Sequence, residues 1–502
     1  MAIEDDVLVI GGGLAGATAA LAAAEHDADV RLLSYKQSTL RHASGLIDVL
    51  GYTPAGEGPL AEPFEAIPDL PEGHPYERVG VDAVREALLF FDAVAGDAYS
   101  GAHTESNALV PTSGGTVKPT ARYPAATEAG LASDPRDTLL VGFHGLPDFD
   151  APLAADHLEA AGVPFAARGV TLPFPGIRRD DAKVTRYAHI LDRDTPVDTG
   201  VGEAPARTAL AETVRPHLES AARVGFPPIL GDENAGVVRR DLEERLGIPV
   251  FEVPSGPPSL PGMRLEDLLY GALGEAGVRV TTGVPVVDYE LEPAADGVES
   301  GAGDGDDTDA ARIDRVLVDR KGREVPYRAS EYVLATGGLV GKGIRSRREP
   351  VPTDGVDDAA THGTGDDPAS SPAYRSSVGS DGAPAEPRTA TGSEVDEALA
   401  RRSGRVFEPI FDCHVPHAPD RYDWFVDDAF GDQPFARYGL TVDRELRPLD
   451  GEGDLEFSNL RAAGAVLGGY DYAAEKSGSG VSLATGYVAG SRAGERATED
   501  AE

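Results

Sequence analysis

At 502 residues the chain is too long for one hydrophobic core, and 41% hydrophobic residues with 60 glycines and 39 prolines describe a loop-rich globular protein of two or three units. No apolar run approaches the roughly 18 residues of a membrane span, and the start is acidic (Glu4, Asp5, Asp6) where a secretory leader is basic, so neither spanning nor secretion is expected. The 85 acidic residues against 45 basic ones, a net charge of -40, argue against nucleic acid, and the single cysteine, Cys413, excludes an internal disulfide, a cysteine-ligated iron–sulfur cluster and a cysteine-rich zinc site. Redox chemistry in such a chain needs an organic cofactor or a partner.

The first element is an apolar run, Val7, Leu8, Val9 and Ile10, followed by G-x-G-x-x-G from Gly11 to Gly16 and an alanine-rich stretch to His26. This predicts a strand, a phosphate-binding turn and a helix. Gly11 permits the tight turn, Gly13 lets backbone approach a phosphate or diphosphate, and Gly16 allows close packing of helix on strand, while the helix N-terminus offers N–H groups to the anion. Val30, Arg31, Leu32 and Leu33 then read as a second strand. Dinucleotide folds place Asp or Glu at the end of that strand to clamp a ribose. Here stand Ser34, Tyr35, Lys36 and Gln37. Two readings stay open: Ser34 gives a ribose one hydrogen bond, or the cofactor is FMN, which has no adenosine to clamp.

Residues 51–250 show proline-rich turns and helical patches such as 81–95. Residues 284–291, 313–319 and 324–327 read as a meander of strands whose first hairpin carries an acidic loop, 292–309. Residues 332–338, Y-V-L-A-T-G-G, read as a buried strand whose Thr336, Gly337 and Gly338 let the chain pass close to a cofactor. Residues 349–394 are dominated by Pro, Gly, Asp, Ser and Thr, which predicts a flexible insertion. Residues 459–464 read as a strand entering a cofactor loop at Gly464, and G-S-G-V-S from Gly478 to Ser482 opens a last helix whose positive end favours an anionic reduced flavin ring.

A phosphate turn first, with a meander and A-T-G much later, is similar to the two-dinucleotide-binding-domain flavoproteins, a Rossmann-like α/β fold with an inserted cap domain and a β-meander. Narrower stretches add to this: S-G-L-I-D-V-L-G at 44–51, N-A-L-V-P-T-S-G-G-T-V-K-P-T at 107–120, G-F-H-G-L-P-D-F at 142–149 and G-G-Y-D at 468–471. With V-L-V-I-G-G-G-L-A-G at 7–16 and A-T-G-G at 335–338, they make the chain resemble the B subunit of anaerobic glycerol-3-phosphate dehydrogenase. The resemblance implies a flavin-dependent oxidoreductase component that binds FMN, with FAD as the alternative. It implies work with the A and C subunits of glycerol-3-phosphate dehydrogenase, the first catalytic and the second carrying iron–sulfur clusters, at the inner face of the cell membrane. The implied activity is support for oxidation of sn-glycerol 3-phosphate to dihydroxyacetone phosphate with electrons passed to quinone. A stand-alone enzyme of the fumarate reductase or ketosteroid dehydrogenase type shares the flavin motifs and is the alternative reading.

The expected organisation is a flavin domain in three segments (1–50, 251–345 and 401–502), a cap at 51–250 and an insertion at 346–400. Cofactor contacts are expected from Gly11, Gly13, Gly16, Ser34, Thr336, Gly337, Gly338, Gly464, Gly478 and Ser482. His42, near Arg41 and Ser44, lies in a loop from which related flavoproteins reach the flavin ring, and reads either as a general base or as a loop histidine satisfied by backbone. Lys118 and Arg122, around Thr120, read either as a phosphate-holding basic group or as salt-bridge partners of the abundant carboxylates. Asp412, Cys413, His414 and His417 have metal-like content, but Pro416 breaks the spacing and no metal is expected. Only six residues are Lys, and this carboxylate-rich, lysine-poor composition resembles that of proteins from extreme halophiles. In molar salt the Debye length is about 3 Å, which screens the self-repulsion of such a surface.

Overall fold

The computed structural model describes residues 2–36, 38–177, 183–200, 202–257, 259–293, 310–348, 403–429 and 431–499. Apart from Glu292 and Pro293, the expected acidic loop lies outside them, as does the expected insertion at 349–394. The described residues divide into two units, those that fall within 1–345, 406–416 and 435–502 and those that fall within 346–405 and 417–434.

In the first unit, β1 (Ile3–Ile10), β2 (Val30–Ser34), β3 (Arg279–Thr282), β4 (Val286–Leu291), β5 (Ile313–Asp319), β6 (Glu324–Leu334) and β7 (Leu460–Ala462) form one sheet, ordered β3-β2-β1-β6-β5-β4 with β7 beside β6. The neighbours from β3 to β6 run parallel, as does β7, and β6, β5 and β4 form the antiparallel meander. A parallel core strand is covered on both faces and reads as an unbroken apolar run. Val7, Leu8 and Val9 accordingly have no exposed surface.

The two strands expected at 324–327 and 332–338 are one, and it ends at Leu334. β6 runs beside β1 from Tyr327 opposite Ile3 to Leu334 opposite Ile10, and its first half also carries β5. The polar residues between the two apolar stretches do not break it, because each charge is paired: Arg328 with Asp314, and the buried Glu331 with Arg461 of β7. Asp5, in the acidic start, likewise turns inward and is held by Arg31 Nε and Arg279 Nη1, both at 2.6 Å.

Four helices matter for the site: α1 (Leu14–Ala24), α2 (Val81–Ala95), α3 (Leu260–Glu275) and α4 (Gly478–Glu499). α1 is buried at every position but its last, and its alanines leave room for a second helix against its backbone. Gly486, Gly490 and Gly494 of α4 pack on Ala15, Ala19 and Ala23 of α1. A Cβ on these glycines would stand 2.5, 2.1 and 2.7 Å from the alanine carbonyl oxygens. This four-residue glycine ladder sets how close α4 lies.

A second, four-stranded parallel sheet is built from Ala167–Leu172, Thr138–Phe143, Arg223–Phe226 and Val250–Glu252, in the spatial order Val250, Arg223, Thr138, Ala167 by first residue. Leu139, Val141 and Phe143 enter one apolar cluster with Tyr187 and Phe226, and Leu140 enters another with Leu158 and Phe251. The sequence reading did not anticipate this sheet, since short doubly buried strands have no alternating pattern to set them apart. In the other unit, Trp424 Nε1 donates to the Ala418 carbonyl at 2.7 Å. Among the described residues, no helix is long and apolar enough to cross a membrane.

The glycine ladder yields a paired prediction. Gly490→Ala should cost about 1–3 kcal/mol through overpacking, despite alanine's better helix propensity. Gly271→Ala, on an exposed face of α3 with nothing within 4 Å of the new Cβ, should stabilise by about 0.5–1 kcal/mol. Salt-matched thermal melts of the two variants read the difference in sign.

Candidate functional site

The C-terminal ends of β1, β2 and β6 meet the N-terminus of α1 around a cleft of about 430 Å³. Parallel α/β sheets bind ligands at this end, where the loops after the strands diverge. Its floor is the glycine turn. Gly11 has a φ of +125°, and a Cβ there would stand 2.1 Å from the Ala335 carbonyl oxygen, while one on Gly16 would stand 1.8 Å from that of Gly11. These two glycines wedge turn, strand end and helix together. Gly13 differs: its nearest neighbour would be Thr39 Oγ1 at 3.8 Å, so the space a side chain would fill is open at the cleft. No side chain caps α1, which leaves its first N–H groups for a ligand.

The electrostatics of the cleft oppose those of the rest of the chain. Not one described lining residue is Asp or Glu, whereas Lys36, Lys342 and Arg345 line it and none of the three is ion-paired with a described residue. Thr336 Oγ1, also on the wall, is buried with no hydrogen-bond partner among the described residues. An open glycine cradle, an uncapped helix, these three cations and an orphaned hydroxyl form a donor set suited to a phosphorylated ligand.

Of the expected cofactor residues, Gly11, Gly13, Ser34, Thr336, Gly337 and Ser482 line the cleft. Gly16, Gly338, Gly464 and Gly478 do not; the first three let its walls close up behind. A Cβ on Gly338 would stand 2.5 Å from the Ala465 carbonyl oxygen, and one on Gly464 2.7 Å from Ala15 Cβ. The Ser34 hydroxyl donates to the Lys36 carbonyl at 2.8 Å, so toward a ligand it offers its lone pairs, and Ser482 donates to the Gly478 carbonyl at 2.7 Å.

The expected catalytic group is not assembled. His42 is exposed, at the end of the short turn Thr39–His42, and does not line the cleft. Lys118 and Arg122 serve two separate carboxylates. Lys118 Nζ lies 2.5 Å from Asp48 Oδ2, where burial pushes the Asp48 carboxyl up and Lys118 pulls it back. Arg122, 5% exposed, grips Asp92 with Nε and Nη2 at 2.8 and 2.9 Å. These pairs answer to local structure: Ile47 bridges to Arg122, and Thr120 Oγ1 donates to the Ile47 carbonyl, so the stretches at 44–51 and 107–120 are stitched to each other.

Sequence reasoning missed Lys342, Arg345, Pro409 and Ile410. The signal for Lys342 was present, since lysine is scarce here and two of the six line the cleft. Pro409 and Ile410 are placed by Glu408, whose fully buried carboxylate accepts from the N–H groups of Ile410 and Phe411 at 2.9 and 2.6 Å. Burial pushes the Glu408 carboxyl up to about 7 against those bonds.

Residues 6–481 match the family described as FAD binding domain. Over 495 residues, 99% of this chain and 99% of the relative, the chain is 54% identical to the probable anaerobic glycerol-3-phosphate dehydrogenase B subunit of Halobacterium salinarum. The chain belongs to the FAD binding domain family and, within it, to the B-subunit family of anaerobic glycerol-3-phosphate dehydrogenase. It is also 27% identical to the B subunit of Pectobacterium carotovorum over 95% of this chain and 96% of that one. A 3-ketosteroid-Δ4-(5α)-dehydrogenase of Rhodococcus jostii is similar at a TM-score of 0.36 and 14% identity, covering 99% of this chain and 97% of that one.

Membership makes the chain a flavoprotein, as the motifs predict, and of the two flavins weighed the family names FAD. The residues present fit it: the glycine turn and cations suit a diphosphate, and the lining continues past Ser34 to Tyr35, Lys36, Ser38 and Thr39.

Gly13→Val should cut flavin affinity by about tenfold or more, about 1.4 kcal/mol, by filling the open cradle, with the fold retained. Arg122→Ala should do the reverse, leaving flavin affinity intact while costing about 3–5 kcal/mol of stability, because Asp92 loses its partner. Flavin fluorescence titration and a salt-matched melt on each variant check both.

A pH dependence follows from Glu408. Its carboxyl is raised in the folded state, so between the ordinary value of 4.5 and about 7 the folded state holds the extra proton. Stability therefore falls as pH rises through that window, by about 3 kcal/mol from this group. Glu408→Gln should flatten the decline between pH 5 and pH 8 in melts at constant salt.

Proposed function

We propose that this chain is the flavin-carrying component of a heteromeric glycerol-3-phosphate dehydrogenase. Together with a catalytic A subunit and an iron–sulfur C subunit, it supports oxidation of sn-glycerol 3-phosphate to dihydroxyacetone phosphate, and the electrons pass to quinone. The similarity to a B subunit along the full chain supports the complex, and the cleft supports the flavin role. Oxidising the secondary alcohol removes two electrons and two protons, and the hydroxyl proton needs a base. Among the described residues no histidine or carboxylate lines the cleft, and the ionisable side chains that do are Tyr35, Lys36, Lys342 and Arg345. This favours a relay: the substrate is oxidised on the catalytic partner, and this chain carries electrons onward.

A bound flavin supplies the ability to take up two electrons and release them one at a time. The chain's own residues do the rest. Gly13 and the N-terminus of α1 would receive the diphosphate, and Lys36, Lys342 and Arg345 would balance its charge. The N-terminal turn of α4, with Ser482 on the wall, places the positive end of a 22-residue helix beside the cleft and favours negative charge there. Ile10, Leu33 and Val286 line it with apolar surface that excludes water. At a net charge of -40, an anionic lipid surface repels the chain, so a membrane location depends on a partner.

The chain alone, purified in molar salt and mixed anaerobically with glycerol 3-phosphate, should keep its oxidised flavin spectrum and bleach only when the catalytic partner is added. Bleaching without that partner would move substrate oxidation into this chain. Acid extraction of the cofactor should return FAD by mass.

A further inference from the structure

Three consecutive glycines, Gly11, Gly12 and Gly13, form the phosphate turn. Glycine reaches most backbone conformations, so such a segment does not by itself fix which way its peptide groups face. Something outside the turn has to. The Tyr270 hydroxyl, on α3, donates to the Gly12 carbonyl at 3.1 Å, and a Cβ on Gly12 would stand only 2.4 Å from that hydroxyl. Gly12 and Gly13 line the cleft and Tyr270 does not, so the tyrosine holds the turn from behind.

A trans peptide points its C=O and N–H in opposite directions. With the Gly12 carbonyl held toward α3, the N–H of Gly13 is turned away from α3, to the cleft side, and it has no partner among the described residues. α3 is itself firmly seated. Gly262 packs so near the turn after β2 that a Cβ there would stand 2.2 and 2.5 Å from the carbonyl oxygens of Leu40 and Ala43, and Glu266, one helical turn before Tyr270, is ion-paired with Arg41.

We infer that Tyr270 is a positioning residue for the cofactor, its hydroxyl locking the Gly12–Gly13 peptide so that the Gly13 N–H is presented to the cofactor's phosphate. The role rests on the flavin reading of the cleft. Tyr270→Phe removes one oxygen and keeps the ring. Titrated in molar salt, the variant apoprotein should bind FAD and FMN about 5- to 10-fold more weakly than the parent, the effect of one hydrogen bond. Affinity for riboflavin, which has no phosphate, should stay at the parent's value, and the apoprotein should still fold, losing no more stability than one hydrogen bond supplies. Unchanged FAD affinity, an equal loss for riboflavin, or an apoprotein that no longer folds would each overturn the role. A parent chain that binds none of the three flavins would instead overturn the flavin reading itself.

Discussion

Backbone packed directly on backbone is the constraint from which the cleft follows. At Gly11 against Ala335, Gly16 against Gly11, and the glycines of α4 against the alanines of α1, no side chain separates the elements, and none fits. Removing side chains there brings β1, β6, α1 and α4 together tightly enough for their ends to converge, leaving a space at Gly13 where the packing opens. The site is thus defined by where glycines are close-packed and by where, as at Gly13, they are not. A helix as apolar as α1 tolerates this because it is covered on every side and needs no polar face.

Charge follows a second division. A chain with 85 acidic residues would disfavour any anionic ligand if its carboxylates were spread evenly. Among the described residues none of them lines the cleft, and the cations found there have no acidic partners. Elsewhere arginines are paired with carboxylates even where buried, as at Arg122 and Arg461. In molar salt only short-range contacts survive screening, so donors placed within hydrogen-bonding reach matter more than the distant field.

The residues that mark the narrower family are less concerned with chemistry than their polar character implies. Asp48 and Lys118, one from each of two distinctive stretches, neutralise each other, and Arg122 holds Asp92 of α2. A burial of this kind costs desolvation; at Arg122 the two-pronged grip on Asp92 offsets it, whereas at Asp48, whose Oδ1 has no hydrogen-bond partner among the described residues, Lys118 offsets it only in part. The same logic explains Asp5 and Glu331, acidic residues that look like surface in the sequence and are strand-to-strand ties in the fold.

The sequence by itself determined the elements whose chemistry is local. The glycine turn, the strands on either side of α1, the meander, A-T-G-G and the last helix are set by short-range sterics and apolar runs, and they stand within a few residues of their expected places. Six of the ten expected cofactor residues reach the cleft for the same reason. What only the tertiary structure decided was partnership across long separations. Whether Arg122 meets a phosphate or Asp92, whether residues 324–334 make one strand or two, and that Tyr270 stands behind Gly12 all depend on elements brought together from distant parts of the chain. A cation's spacing in sequence does not record which carboxylate will be folded against it, because the choice is made by packing.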